Sequence, residues 1–178
     1  MKRGVCIIEC LGVEDPGSEG TLLKKVFNLM EVESELVRVT SIEQLLAAIA
    51  HSKFQHIHIS THGSVSNDRR FQGWWTPRGS GTKRAVERQK IVVACNSIVS
   101  TACKSGARGF AKYVTDNWGC KYYVAPRGSP YFYDAALFSH IFYYKLFKTK
   151  GTVPKAWASY TKRYMNPHGF ALYKRNAT

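Results

Sequence analysis

The residues best suited to chemistry are a cysteine and a histidine, each at the end of an apolar run. Residues 97 to 106, Ser-Ile-Val-Ser-Thr-Ala-Cys-Lys-Ser-Gly, place Cys103 directly after a stretch whose length and β-branched content predict a buried strand. Residues 56 to 63, His-Ile-His-Ile-Ser-Thr-His-Gly, repeat the layout, with Ile57 and Ile59 alternating and His62-Gly63 closing the run. In mid-strand a free thiol is a small buried hydrophobe. At the carboxyl end of a strand in an open parallel sheet it stands where ligands and chemistry gather. A histidine at a neighbouring strand end would favour the thiolate or protonate a departing amine. Gly63 would let a backbone N–H approach a developing oxyanion.

Such a pair needs strands that run the same way, and the pattern along the chain predicts them. Residues 4 to 11 read as a buried strand, and Pro16 to Gly20 turn the chain into a helix from Thr21 to Met30 with Leu22, Leu23, Val26, Phe27 and Met30 on one face. Residues 35 to 39 form a second strand, Thr40 or Ser41 caps a helix that runs through Ala50, and the histidine strand follows. This β-α-β-α-β order predicts a parallel, right-handed, doubly wound sheet. Residues 64 to 82 read as a polar and aromatic loop placed to build or cover a site. A helix over 83 to 94 leads into the cysteine strand, another over 108 to 118 leads to a strand at 121 to 125, and Pro126 to Pro130 is a break. A helix from Asp134 to Phe147, a last long helix over 154 to 165 and a strand at 170 to 174 complete a single domain spanning 1 to 178.

His62-Gly63 after one hydrophobic strand and Ser100-Thr101-Ala102-Cys103 at the end of the next resemble the caspase-like cysteine peptidases, and among them the CHAT family related to separase. The resemblance extends over most of the chain and keeps the family order, His first and Cys 103 − 62 = 41 residues later. The caspase signature Gln-Ala-Cys-x-Gly is not met: Thr101 replaces the Gln, and Lys104-Ser105-Gly106 follow the cysteine. The caspase preference for aspartate therefore does not transfer. The resemblance implies an α/β three-layer sandwich, a mostly parallel sheet with helices on both faces. It implies a cysteine endopeptidase cutting a protein substrate, in which His62 protonates the leaving amine and the backbone N–H groups of Gly63 and Cys103 form the oxyanion hole. It implies no metal and no organic cofactor, a role in bacterial defence, and an activator or sensor protein acting in trans. Asp134 falls where separase-like relatives supply an acid for a basic P1 side chain, although an aspartate there also suits a helix N-terminal cap. If cleavage instead followed aspartate, Arg69, Arg70 or Arg127 would line the pocket.

Bulk composition bounds the other possibilities. The 178 residues carry a formal net charge of +14. Residues 1 to 50 hold five Lys or Arg against eight Asp or Glu, net −3, and residues 51 to 178 hold 21 against four, net +17. An excess of that kind suits an acidic partner or a merely solvated basic face. Arg69, Arg70, Trp74, Trp75, Arg78, Lys83 and Arg84 mix cations with aromatic rings as single-strand binders do, which keeps open a nucleic-acid-binding or interaction module without peptidase activity, or weak non-specific nucleic-acid binding beside it. Five cysteines without paired spacing fit reduced thiols, and no apolar run or signal layout appears, so a soluble, cytoplasmic protein with no membrane span is expected. His56, His58 and His62 share one side of a strand by period two. No carboxylate stands between Glu43 and Asp68 to complete a metal site, which favours His56 and His58 as hydrogen-bonded residues under a helix or at the sheet edge. No Walker loop, dinucleotide fingerprint or serine-hydrolase elbow occurs.

Overall fold

The computed structural model describes residues 1–89 and 91–176, and the side chains of 80–84 and 87, Lys83 and Arg84 of the basic patch among them, lie outside the described residues. The strands β1 (Lys2–Cys10), β2 (Ser34–Arg38), β3 (Phe54–Thr61), β7 (Ser97–Ser100), β8 (Tyr122–Pro126) and β9 (Phe170–Lys174) form a six-stranded sheet in the order β2-β1-β3-β7-β8-β9. All pairs are parallel except β8 with β9. Between them the chain crosses over through α1 (Glu19–Leu29), α2 (Ile42–Ala50), α4 (Arg108–Asn117), α5 (Phe132–Phe147) and α6 (Val153–Thr161).

Successive strand side chains face opposite ways, and β1 shows the result. Val5 and Ile7 pack with α1, α5 and α6, while Cys6, Ile8 and Cys10 pack with α2 and α4 on the other face. The sheet is covered on both sides, which is why its strands read as near-continuous apolar runs. Ser18 caps α1 by accepting from the Thr21 backbone N–H at 2.9 Å, and Ser41 does the same for α2 with Gln44 at 3.3 Å.

The last helix ends at Thr161 rather than at 165, and two further stretches differ from the sequence expectation. The loop expected over 64 to 82 is a three-stranded antiparallel sheet of β4 (Gly63–Val65), β5 (Phe71–Thr76) and β6 (Gly79–Thr82). Its anchor is Trp74, which is 0% exposed and packs edge-on against Phe110 at 5.0 Å, so this tryptophan is core rather than a stacking platform. The helix expected over 83 to 94 is shorter, α3 (Lys83–Arg88). The β-branched run Ile91-Val92-Val93 resists helix, and the Val93 N–H instead donates to the Trp118 carbonyl at 2.7 Å. No helix among the described residues is long and apolar enough to cross a membrane.

His56 and His58 lie in the central strand β3 under α5. His56 Nδ1 is 2.7 Å from Ser97 Oγ and His58 Nδ1 is 3.2 Å from the Tyr143 hydroxyl, as expected of core histidines. Burial, helped by the charge of Arg3, pushes the His56 imidazole down to about 4. The unfolded chain, with a histidine near 6.5, binds more protons across that window, so His56 contributes stability above about pH 6.5 that is lost as pH falls toward 4, up to about 3 kcal/mol. The variant His56→Gln, which does not titrate, should show a flatter loss of unfolding free energy between pH 6.5 and 4 in urea titrations. An unchanged slope would show that His56 is not held neutral.

Candidate active site

The parallel pairing of β3 with β7 aligns Ile59 with Ser100, so the two strands leave the sheet side by side. His62 lies just past β3, and Cys103 lies in the turn after β7. Both line one cavity of about 30 Å3, together with Glu19, Thr101, Tyr131 and Phe132. That volume admits only a water or two. The His62 imidazole is packed edge-on between Trp75 at 5.6 Å and Phe132 at 5.5 Å, and its carbonyl accepts from the Trp75 N–H at 2.9 Å. Its Nε2 donates to Asp15 Oδ1 at 2.6 Å, with the ring 40% exposed and the carboxylate 12%. Asp15 itself is held in the turn after β1 by accepting from the Gly12 N–H through Oδ2. Because a carboxylate accepts, the ring carries its proton on Nε2, and Nδ1 is left without a protein partner among the described residues.

The turn that carries Cys103 is fixed from below. Ser105 Oγ donates to the Ala102 carbonyl at 2.7 Å and lies 3.0 Å from Ser100 Oγ, which accepts from Trp74 Nε1 at 3.2 Å. The Tyr123 hydroxyl donates to the Ser105 carbonyl at 3.1 Å. Lys104 takes φ 58°, and its Nζ donates to the Arg69 carbonyl at 2.9 Å, tying the loop between β4 and β5 to the cysteine turn. Gly63 abuts the Cys103 peptide so closely that a Cβ there would fall 1.9 Å from the Cys103 carbonyl oxygen, which excludes every other residue type. The Cys103 backbone N–H has no hydrogen-bond partner among the described residues.

Among the five free thiols only Cys103 is part-exposed, and the other four are buried. Burial pushes Cys6 and Cys10 up to about 11, and a hydrogen bond with Cys120, followed by burial, pushes Cys95 up as well. The Cys103 thiol makes a long contact to the Pro130 carbonyl, 3.9 Å, so the segment between β8 and α5 lies over it.

Glu19, in the first turn of α1, was not singled out from sequence, yet it joins the two strand ends. One carboxylate oxygen, Oε2, accepts from Ser60 Oγ at 2.8 Å and Thr101 Oγ1 at 2.7 Å. Ser60 stands two residues before His62 and Thr101 two before Cys103, so a single buried group sets the register of both. Oε1 accepts from Ser139 of α5 at 3.0 Å and faces His58 Nε2 at 3.4 Å. The latter contact brings the two groups together without hydrogen-bond alignment, leaving His58 Nε2 with no hydrogen-bond partner. Burial alone would raise the Glu19 carboxyl, but the charge of His58 and the surrounding hydroxyls outweigh it and hold the group below the usual carboxylate range. The signal in the sequence was the pair of hydroxyls at matching positions on two otherwise apolar strand ends.

The remaining predicted residues are spread around this centre. Asp134 sits in the first turn of α5, where Oδ2 accepts from the Tyr131 N–H at 3.3 Å and from His168 Nε2 at 2.8 Å. It does act as a helix cap, and its Oδ1 has no partner among the described residues. It does not line the His62–Cys103 cavity, whereas Tyr131 and Phe132 of the same turn do. Arg69 and Arg70 are exposed on the loop before β5, with Arg70 paired to Asp68 at 2.9 Å. Arg127 lies over Tyr173 and donates to its hydroxyl at 3.1 Å. No cluster of three metal-ligating side chains occurs among the described residues.

A mostly parallel six-stranded sheet covered by helices on both faces makes this an α/β fold. The chain is similar to separase in the Saccharomyces cerevisiae separase–securin complex, with a TM-score of 0.62 and 15% sequence identity over 97% of this chain and 12% of that one. It thus spans a small part of separase, and at this identity the likeness establishes the fold alone. No family model matches the chain, and no curated protein does.

Proposed function

We propose that the protein is a cysteine endopeptidase of the CHAT type that cuts a protein substrate through Cys103. The observation that carries this is the pairing of the one part-exposed thiol with His62 in a single cavity at adjacent strand ends. The Cys103 thiol passes its proton to His62 Nδ1, and the resulting thiolate attacks the scissile carbonyl carbon. The Cys103 N–H, free of other partners, and the N–H of Gly63 against it receive the oxyanion. His62, with Nε2 given to Asp15, protonates the departing amine from Nδ1. Water then hydrolyses the thioester.

The cavity is too small for a side chain, and the Pro130–Phe132 segment lies over the thiol. That closure favours regulated cleavage, with an activator or sensor protein acting in trans to move the segment. A setting in bacterial defence follows from the family resemblance alone.

For P1, the reading is that Asp134 receives a basic side chain once the segment opens, supported by its Oδ1, which has no partner among the described residues. Profiling of cleavage sites in a proteome-derived peptide library should show Arg or Lys at P1, and Asp134→Asn should raise KM for such peptides by tenfold or more, the scale expected for a charged hydrogen bond. Cleavage after Asp instead would assign the pocket to Arg69, Arg70 or Arg127 and return Asp134 to the role of a helix cap.

A further inference from the structure

Two large, adjoining cavities lie away from Cys103, at the opposite, amino-terminal edge of the sheet. One, of about 450 Å3, is bordered by Arg3, Lys121 and Lys150 with Gln55, His56, Asn96 and Thr152. The next, of about 460 Å3, shares Lys150 and Gly151 with it and runs between α5 and α6 past Thr149, Lys155, Ser159, Lys162 and Arg163. Neither lining contains a carboxylate, and the four acids after residue 51 are Asp68, Glu87, Asp116 and Asp134. None of the cations Arg3, Lys121, Lys150, Lys155, Lys162 and Arg163 makes an ion pair among the described residues.

Lys155, Ser159 and Lys162 fall at i, i+4 and i+7, one face of α6 and its C-cap. The two lysines thus face the same way with no carboxylate in the lining to neutralise them. We propose that these adjoining cavities form a groove that binds the phosphodiester backbone of single-stranded nucleic acid.

The lining favours phosphate over an acidic protein. Phosphate oxygens are held by Lys, Arg, hydroxyls, amides and helix N-termini, which are the groups present here. Protein interfaces are depleted of Lys at their centres and rest on exposed aromatic anchors; the rings here, Tyr122 and Phe147, are half-buried and buried. A duplex is stiff over about 150 base pairs and does not follow a concave path between two helices, whereas a single strand does. Few bases can stack in the groove, so binding is independent of sequence. Within the aromatic patch expected from sequence, Trp74 is in the core and offers no face for stacking.

The test is fluorescence anisotropy of a labelled 20-mer oligothymidylate across a salt series. Four to six phosphate contacts give a log–log slope of about −3 to −4, so a tenfold rise in salt weakens binding about 10³- to 10⁴-fold. Lys155→Glu with Lys162→Glu should weaken binding at least tenfold and flatten the slope by about 1.4. Arg88→Glu with Lys112→Glu, an equal change of net charge on exposed residues elsewhere, should leave both within about twofold. Circular dichroism checks the fold, and the pair Lys155→Gln with Lys162→Gln replaces the first variant should that fail to fold. Absence of binding at low salt, equal losses in both charge-reversed proteins, or tighter binding of polyglutamate than of the oligonucleotide would each overturn the proposal. None of these readouts depends on hydrolysis at Cys103.

Discussion

Replacing Glu19 by leucine should cost about 3–5 kcal/mol of unfolding free energy, the scale observed when one member of a buried charged network is removed. The loss does not come from the carboxylate alone. Ser60, Thr101 and Ser139 would each keep a buried hydroxyl without its acceptor, and His58 would lose the charge it faces. In a chain of 178 residues that corresponds to a fall in Tm of about 10 °C. Glu19→Gln, which keeps the volume and one acceptor, should cost about 1–2 kcal/mol. Its pH dependence gives a second check. The folded Glu19 carboxyl is held below its ordinary value, so its contribution is present above about pH 4.3 and is lost as pH falls through the folded value. The Gln variant should lose less stability than wild type in that acid range. A Leu variant within 1 kcal/mol of wild type would show that Glu19 does not hold the two strand ends together.

Much of the fold is legible in the sequence because a sheet buried on both faces leaves a simple trace. The apolar runs of β1, β3, β7 and β8 stand out, and the capping residues Ser18 and Ser41 mark where helices begin. The positions of His62 and Cys103 at neighbouring strand ends were legible for the same reason, as polar residues that end apolar runs. What could not be read depends on contacts distant in the chain. Trp74 sits among Gly and charged neighbours and looks like surface until Phe110 and Trp118 close over it. Asp15 looks like a turn residue until the sheet brings it beneath a histidine 62 − 15 = 47 positions later. Glu19 looks like a favourable acid at a helix start, and only the topology aims it between β3 and the turn after β7. The basic groove mixes residues from both ends of the chain, Arg3 with Lys121 and Lys162, so no single window of sequence shows it.

The largest effect on activity should come from the dyad. In the proposed reaction Cys103 would supply the bond to the substrate and His62 the proton for the leaving group, so neither would do useful work without the other. Removing one member of a unit costs nearly as much as removing both. The other cysteines offer no substitute, since all four are buried. Asp15 holds the imidazole through Oδ1 and the Gly12 N–H through Oδ2, so in the proposed reaction it would be a positioning residue. Asp15→Ala should lower kcat by tenfold or more with little change in KM and should alter the pH profile of kcat, which a purely structural role would not do.

The most direct measurement is cleavage of a protein substrate by wild type, Cys103→Ala, His62→Ala and the double variant, with circular dichroism confirming that all four are folded. Loss of hydrolysis to the uncatalysed background in both single variants, with the double variant no worse than either, is the predicted result. Cleavage by Cys103→Ala at the wild-type rate would contradict the peptidase assignment.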